Sequence, residues 1–170
     1  MQNGKDTILL VQSTDAALAA EGLVIGHLTD NSYSIENDII DETTKFGRLV
    51  GYGQNKESFE FTAYGDSTDA GQKAVLDAIK NKKQLKVWEV DINLNATGKH
   101  NSVFAYVIVE SVEKSASEGF VEISATVQVI GSTQEGELTA LPPEVIEFAT
   151  YGFEAPGAAT GEFPEQTTTP

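Results

Sequence analysis

Phe120-Val121-Glu122-Ile123-Ser124-Ala125-Thr126-Val127-Gln128-Val129-Ile130 alternates strictly, with Val121, Ile123, Ala125, Val127 and Val129 apolar and Glu122, Ser124, Thr126 and Gln128 polar between them. A period of two is the pattern of a β-strand that buries one face and wets the other. The same period returns at 57–64, where Glu57, Phe59, Phe61 and Ala63 alternate with Ser58, Glu60, Thr62 and Tyr64. Working outward, 7–13, 23–28 and 32–40 are short β-prone runs, with the turn signal Glu21-Gly22 between the first two. Residues 85–94 and 103–112 are rich in β-branched and aromatic side chains at both parities, the pattern of core strands covered on both faces. A further β-prone piece spans 144–151 after Leu141-Pro142-Pro143.

One segment breaks the β pattern. Asp69-Ala70-Gly71-Gln72 has the spacing of a capping box, and Ala70, Ala74, Val75, Ala78 and Ile79 then recur at helical intervals, which predicts a helix over 70–80 with Ala74, Ala78 and Ile79 against a sheet. About seven strands and one helix predict a mainly β fold, a β-sandwich or partial barrel with one flanking α-helix. Residues 41–56 stand apart. Gly47, Gly51 and Gly53 interrupt any regular pattern while Phe46, Leu49, Val50 and Tyr52 keep the stretch apolar. A connection of that length inside a small domain has a task of its own or folds as a hairpin.

The chain has 170 residues and no cysteine, which removes thiol catalysis, cysteine zinc sites and disulfide frameworks. One domain over 1–151 is expected, followed by a tail, 152–170, of Gly, Ala, Thr, Pro and Glu, whose composition predicts disorder. Met1 to Asp6 offers no basic n-region, and 103–109 is too short for the ~18 apolar residues of a membrane helix, so neither a secretory signal nor a membrane segment is expected. With 26 acidic and 11 basic residues the formal net charge is −15, which repels phosphates and argues against a protein that grips nucleic acid. It does not argue against one that DNA must pass.

No catalytic pattern emerges. His27 and His100 are the only histidines and sit in no metal or nucleophile spacing. Asp91, Asn93 and Asn95 copy the start of a calcium loop, but Ala96 and Ser102 stand where it needs Gly and a bidentate Glu. No cofactor, metal or enzyme activity is predicted.

The stretch 41–51, Asp-Glu-Thr-Thr-Lys-Phe-Gly-Arg-Leu-Val-Gly, resembles the arm region of the siphophage major tail protein family, the tail tube proteins of long non-contractile tails. Tyr64-Gly65-Asp66, then 69–74 and 84–91, look like that family's central helix and next strand, and 121–131 with Gly136-Glu137-Leu138 and Leu141-Pro142 look like its last strand and exit. The order of these segments from Tyr33 to Ile146 carries the resemblance. It implies a structural virion protein, assembled in the host cytoplasm, whose copies form hexameric rings that stack into a tube. Its partners would be itself, the tape-measure protein, and the tail terminator and distal tail proteins. DNA would cross the lumen without specific binding. Type VI secretion and contractile-tail tubes share this architecture, and a ligand-binding β-sandwich is the reading from another class.

Two sets of residues follow as expectations. Asp41, Glu42, Lys45, Phe46, Arg48, Leu49 and Val50 would form an intersubunit arm, its cations meeting a neighbour's acidic surface. Glu122, Ser124, Thr126 and Gln128, with Ser58, Glu60 and Thr62, would line the bore.

Overall fold

The alternation of 57–64 and 122–129 becomes two neighbouring strands in the computed structural model, which describes residues 3–18, 20–142 and 145–146. A 3-10 turn at Gly4–Asp6 leads into β1 (Thr7–Ser13), β2 (Leu23–Val24), β3 (Leu28–Thr44), β4 (Gly47–Tyr64), α1 (Ala70–Asn81), β5 (Gln84–Leu94), β6 (His100–Ser115), β7 (Glu122–Val129) and β8 (Gln134–Leu138). One sheet holds all eight strands in the order β2-β1-β5-β6-β7-β4-β3, with β8 added alongside β6. Every pairing is antiparallel.

The sheet curls around its own core. Strands ~4.8 Å apart would leave β1 and β4 roughly 19 Å from each other in a flat sheet. Yet Leu9 and Val11 of β1 share one buried cluster with Phe59, Phe61 and Ala63 of β4. The curl brings the far edge round as well, since the Asn31 amide of β3 donates to the Glu89 carboxylate of β5 at 3.0 Å. The end strands β2 and β3 do not pair with each other, so the barrel is partial.

Helix α1 plugs the concave face. Val75 and Ala78 are buried against Leu9, Val11, Ile25, Leu85 and Val107. Its start is tied down by two buried polar side chains. Asp69 caps the helix by accepting from Gln72 N–H at 2.8 Å and also accepts from Gly26 N–H at 2.7 Å. Gln72 does not return that bond as a capping box would. Its amide instead donates to the Tyr64 and Gly26 carbonyls and accepts from Asp66 N–H, so the pair binds three chain segments at one point. Gly71 lies where the helix meets the end of β2, and a Cβ there would stand 2.4 Å from the Val24 carbonyl oxygen. Gly71→Ala, which raises helix propensity, is therefore expected to lower stability by about 1–3 kcal/mol, read from urea or thermal unfolding.

Four expectations are corrected. The run 23–28 is not one strand: the ladder ends at Val24, Ile25 N–H still donates to the Leu9 carbonyl at 3.0 Å, and Gly26-His27 turn before β3 begins. Ile79 is half-buried and lies outside the core cluster, which Val75 enters instead. The outer face of 103–112 is not covered throughout, because Tyr106 is 44% exposed and Ile108 50%. Within 144–151 only Val145 and Ile146 are described, and they carry helical rather than extended backbone. The tail at 152–170 lies outside the described residues. Strand β8, Gln-Glu-Gly-Glu-Leu, carries no strand signal in its sequence.

Candidate functional site

Residues 41–56, read from sequence as a connection, are mostly strand. β3 and β4 run on together past the body as a hairpin, pairing from Leu28↔Ala63 out to Thr44↔Gly47 around the two-residue turn Lys45-Phe46. Thr44 Oγ1 fastens the turn, donating to the Gly47 carbonyl at 3.0 Å and accepting from Phe46 N–H at 3.2 Å. All of 38–52 is exposed, and the apolar part is large: Phe46 100%, Tyr52 88%, Ile39 62%, Leu49 62%, Val50 57% and Ile40 54%.

A bulge separates arm from body. Between Asn37↔Asn55 and Ile39↔Tyr52 the register slips by one residue. The Asn37 side chain replaces the missing backbone partner by accepting from Gly53 N–H at 3.0 Å and donating to the Gly53 carbonyl at 3.1 Å. The Asp38 carbonyl oxygen comes within 1.9 Å of where a Cβ on Gly53 would be, so this close approach admits only glycine.

The arm's two cations behave differently. Arg48 makes a two-pronged pair with Asp41 of its own arm, Nε to Oδ1 at 2.8 Å and Nη2 to Oδ2 at 2.6 Å. That hydrogen bonding holds the Asp41 carboxyl below the usual aspartate range and raises the guanidinium further. Arg48 thus has a partner within its own subunit, on a surface that leaves the pair exposed. Lys45, at the tip, makes no ion pair among the described residues.

Register brings the expected bore residues together. On the face opposite the core, Ser58 stands across from Gln128, Glu60 from Thr126, Thr62 from Ser124 and Tyr64 from Glu122. The hydroxyls of Thr62 and Ser124 share a hydrogen bond at 3.1 Å. The polar surface extends to both sides, with Asp30, Ser32, Ser34 and Glu36 on β3 and Ser111 and Glu113 on β6. Gln128 also donates to Glu110, at the β6 bulge. Sequence marks 32–40 and 103–112 as β-prone, but only the ladder sets these β3 and β6 positions on the same face as the β4 and β7 residues. Over β1 and β5 the same face is apolar, with Ile8, Leu10 and Val90 covered by Leu138, Leu141 and Val145.

Beside these surfaces the described residues form clefts of mixed, largely polar lining. An open cleft of about 540 Å³ is lined largely by polar groups, among them Glu89, Asp91, Glu135 and Glu137. Burial pushes the Glu89 carboxyl up, against the Asn31 hydrogen bond. Among the described residues no cluster of metal-ligating side chains is present, and no helix is long and apolar enough to cross a membrane.

A sequence profile described as phage tail tube protein matches residues 1–135. The chain belongs to the phage tail tube protein family. Membership of that family makes it a structural tail tube subunit. The tail tube protein of Bacillus phage SPP1 is 44% identical over 164 residues, covering 95% of this chain and 62% of that relative, so the chain spans about three-fifths of the relative's length. The SPP1 tail tube structure from solid-state NMR and electron cryomicroscopy superposes with a TM-score of 0.76 at 39% identity, over 94% of this chain and 95% of that one. A tail protein of a gene transfer agent particle, refined with C6 symmetry, shares the fold at a TM-score of 0.62 and 16% identity, over 79% of this chain and 98% of that one. The tail tube subunit described here therefore has a mainly β fold with one flanking helix.

Proposed function

We propose that six copies of this tail tube subunit close into a ring, that rings stack into a tube, and that viral DNA leaves through its bore. The observation that carries this reading is a four-strand strip, β3-β4-β7-β6, with a free edge at each end. Among the described residues β3 pairs only with β4, so its far edge is open there from Ser32 onward. β6 loses β5 at Ile108, because β5 begins at Gln84, and among the described residues nothing pairs with 109–115 on that side while β7 occupies the other. Unpaired edges of this length invite another chain. The seven residues 32–38 and the seven residues 109–115 match in length. Pairing them end to end sets Ser32, Ser34 and Glu36 beside Ser115, Glu113 and Ser111 on one face. Four strands from each of six copies, at ~4.8 Å spacing and a tilt of about 40°, give a barrel roughly 45–50 Å across, wide enough for a hydrated duplex.

The face turned to that bore suits transit. Register assigns it Asp30, Glu36, Glu60, Glu113 and Glu122 against Lys56, and Lys56 is paired with Asp38 at 3.0 Å. Such a surface repels phosphates rather than holding them. The tape-measure protein within the bore, and terminator and distal tail proteins at the ends, are the partners this reading carries with it, on the family resemblance. The arm, with its exposed apolar tip, is assigned the contact between subunits. No observation favours a secretion or contractile tube, or a ligand-binding sandwich.

The test uses the absence of cysteine. The double variant Ser34→Cys with Glu113→Cys is expected, on oxidation of assembled protein, to give a ladder of covalent species ending at the hexamer. A ladder running past six, or none at all, would overturn the ring. Separately, Glu122→Lys with Thr126→Lys is expected to leave tubes intact in micrographs and to impair DNA ejection, with a salt dependence that the parent lacks, because each neutralised phosphate strengthens binding.

A further inference from the structure

Glu57 is 4% exposed although it stands where β4 leaves the body. The β4–β7 ladder ends at Ser58↔Gln128, and beyond it β4 has β3 alone. One carboxylate oxygen of Glu57 accepts three hydrogen bonds: from the Tyr33 hydroxyl at 2.7 Å, from Thr133 N–H at 3.1 Å and from the Thr133 hydroxyl at 2.6 Å. Tyr33 belongs to β3, and its ring leans on Phe59 with centroids 5.2 Å apart. Thr133 belongs to the turn between β7 and β8. A single oxygen therefore ties together both strands of the arm's root and a turn of the body. Stability alone does not call for a charge here, since an apolar side chain of similar volume packs without the desolvation that a buried carboxylate suffers.

We propose that Glu57 is the positioning residue of the arm: its carboxylate latches the hairpin's root to the β7–β8 turn and so sets the direction in which the arm meets a second copy of the chain. This rests on the reading of the hairpin as an intersubunit arm. The latch also answers to protons. Tyr33 is the titratable group facing Glu57 from β3. Val127 and Val129 of β7 and Ser132 and Thr133 of the turn bring none, and Lys56 and Glu36 alternate onto the other face. Burial works to raise the Glu57 carboxyl, but the bonds from Thr133 and Tyr33 outweigh it and hold it below the ordinary glutamate range. A folded value that is lowered means the contribution of the latch is complete above the ordinary glutamate value and is lost as pH falls through the folded one.

The full chain, which has no cysteine of its own, can carry spin labels at Lys45→Cys on the arm tip and Lys80→Cys on α1. Pulsed electron paramagnetic resonance below the assembly concentration then reads the distribution of arm positions. A narrow distribution is expected for the parent and one about twice as broad for Glu57→Gln at neutral pH. Acid should broaden the parent in the same way and leave Glu57→Gln unchanged. In unlabelled protein Glu57→Gln should raise the critical concentration for tubes about tenfold, the scale of a weakened charged hydrogen-bond cluster. Tyr33→Phe, which removes one donor, should lie between, and it carries the test if Glu57→Gln does not fold. A narrow distribution in the folded variants would overturn the latch. A broad one with unchanged critical concentration would overturn the proposal through the arm reading instead.

Discussion

A subunit whose residues 40–51 are replaced by Asn-Gly is expected to fold normally and to form no tubes. Ile39 and Tyr52 face each other across the hairpin, so a two-residue turn can join them, and Asn-Gly supplies the backbone geometry such a turn needs. Every residue removed is exposed, and none belongs to either apolar cluster. The melting temperature should consequently change by no more than the few degrees that about 1 kcal/mol produces in a chain of this size. What disappears is Phe46, Leu49, Val50 and Ile40, apolar surface that has no cover within the subunit. Sedimentation and negative-stain micrographs measure the outcome: tubes of normal length from the trimmed chain would remove the arm from the account of assembly.

Ala78→Asp is expected to abolish folding. Ala78 is 2% exposed and sits between α1 and the concave face of the sheet, among Leu9, Val11, Leu85 and Val107. Among the described residues no lysine or arginine is buried to receive a carboxylate. An unpaired buried charge costs several kcal/mol, a large part of the ~5–15 kcal/mol that holds a domain together. Ile79→Asp is the control. Being half-buried and outside the cluster, it should be tolerated far better, although the helical spacing alone makes the two positions look alike. Soluble Ala78→Asp protein with an unchanged melting temperature would mean that the helix packs differently.

Periodicity is readable where each strand has one wet and one dry face. β7 and the inner half of β4 alternate in burial as their residues alternate in polarity. The outer half of β3 and β4 defeats the same reading, because in a lone subunit both faces of the arm are exposed and no pattern separates them. Its turn, Lys45-Phe46, also lacks the Asn or Gly at the loop that usually marks a two-residue hairpin. β8 is strand only because the first half of β6 offers it an edge, and nothing in Gln-Glu-Gly-Glu-Leu says so locally. Resemblance locates the arm as a segment, while its bulge, the Asn37 clamp and the pairing of Arg48 with Asp41 depend on which residues stand opposite one another. The same holds for the polar face. Glu60 and Thr126 each have a wet parity, but that they are cross-strand neighbours is a property of register.

The strip β3-β4-β7-β6 has an even number of members, each antiparallel to the next, so its two free edges run in opposite directions. Turning a second copy about an axis, without inverting it, lays its β3 antiparallel against the β6 of the first. Every copy added in this way keeps the same heading. A strip of three or five strands could not do this: rotation alone would force a parallel joint, and an antiparallel joint would require alternate copies to stand upside down. In any assembly built along these edges by antiparallel joints, the even count of strands therefore sets every copy's head at the same end, before any terminal component arrives to mark which end is which.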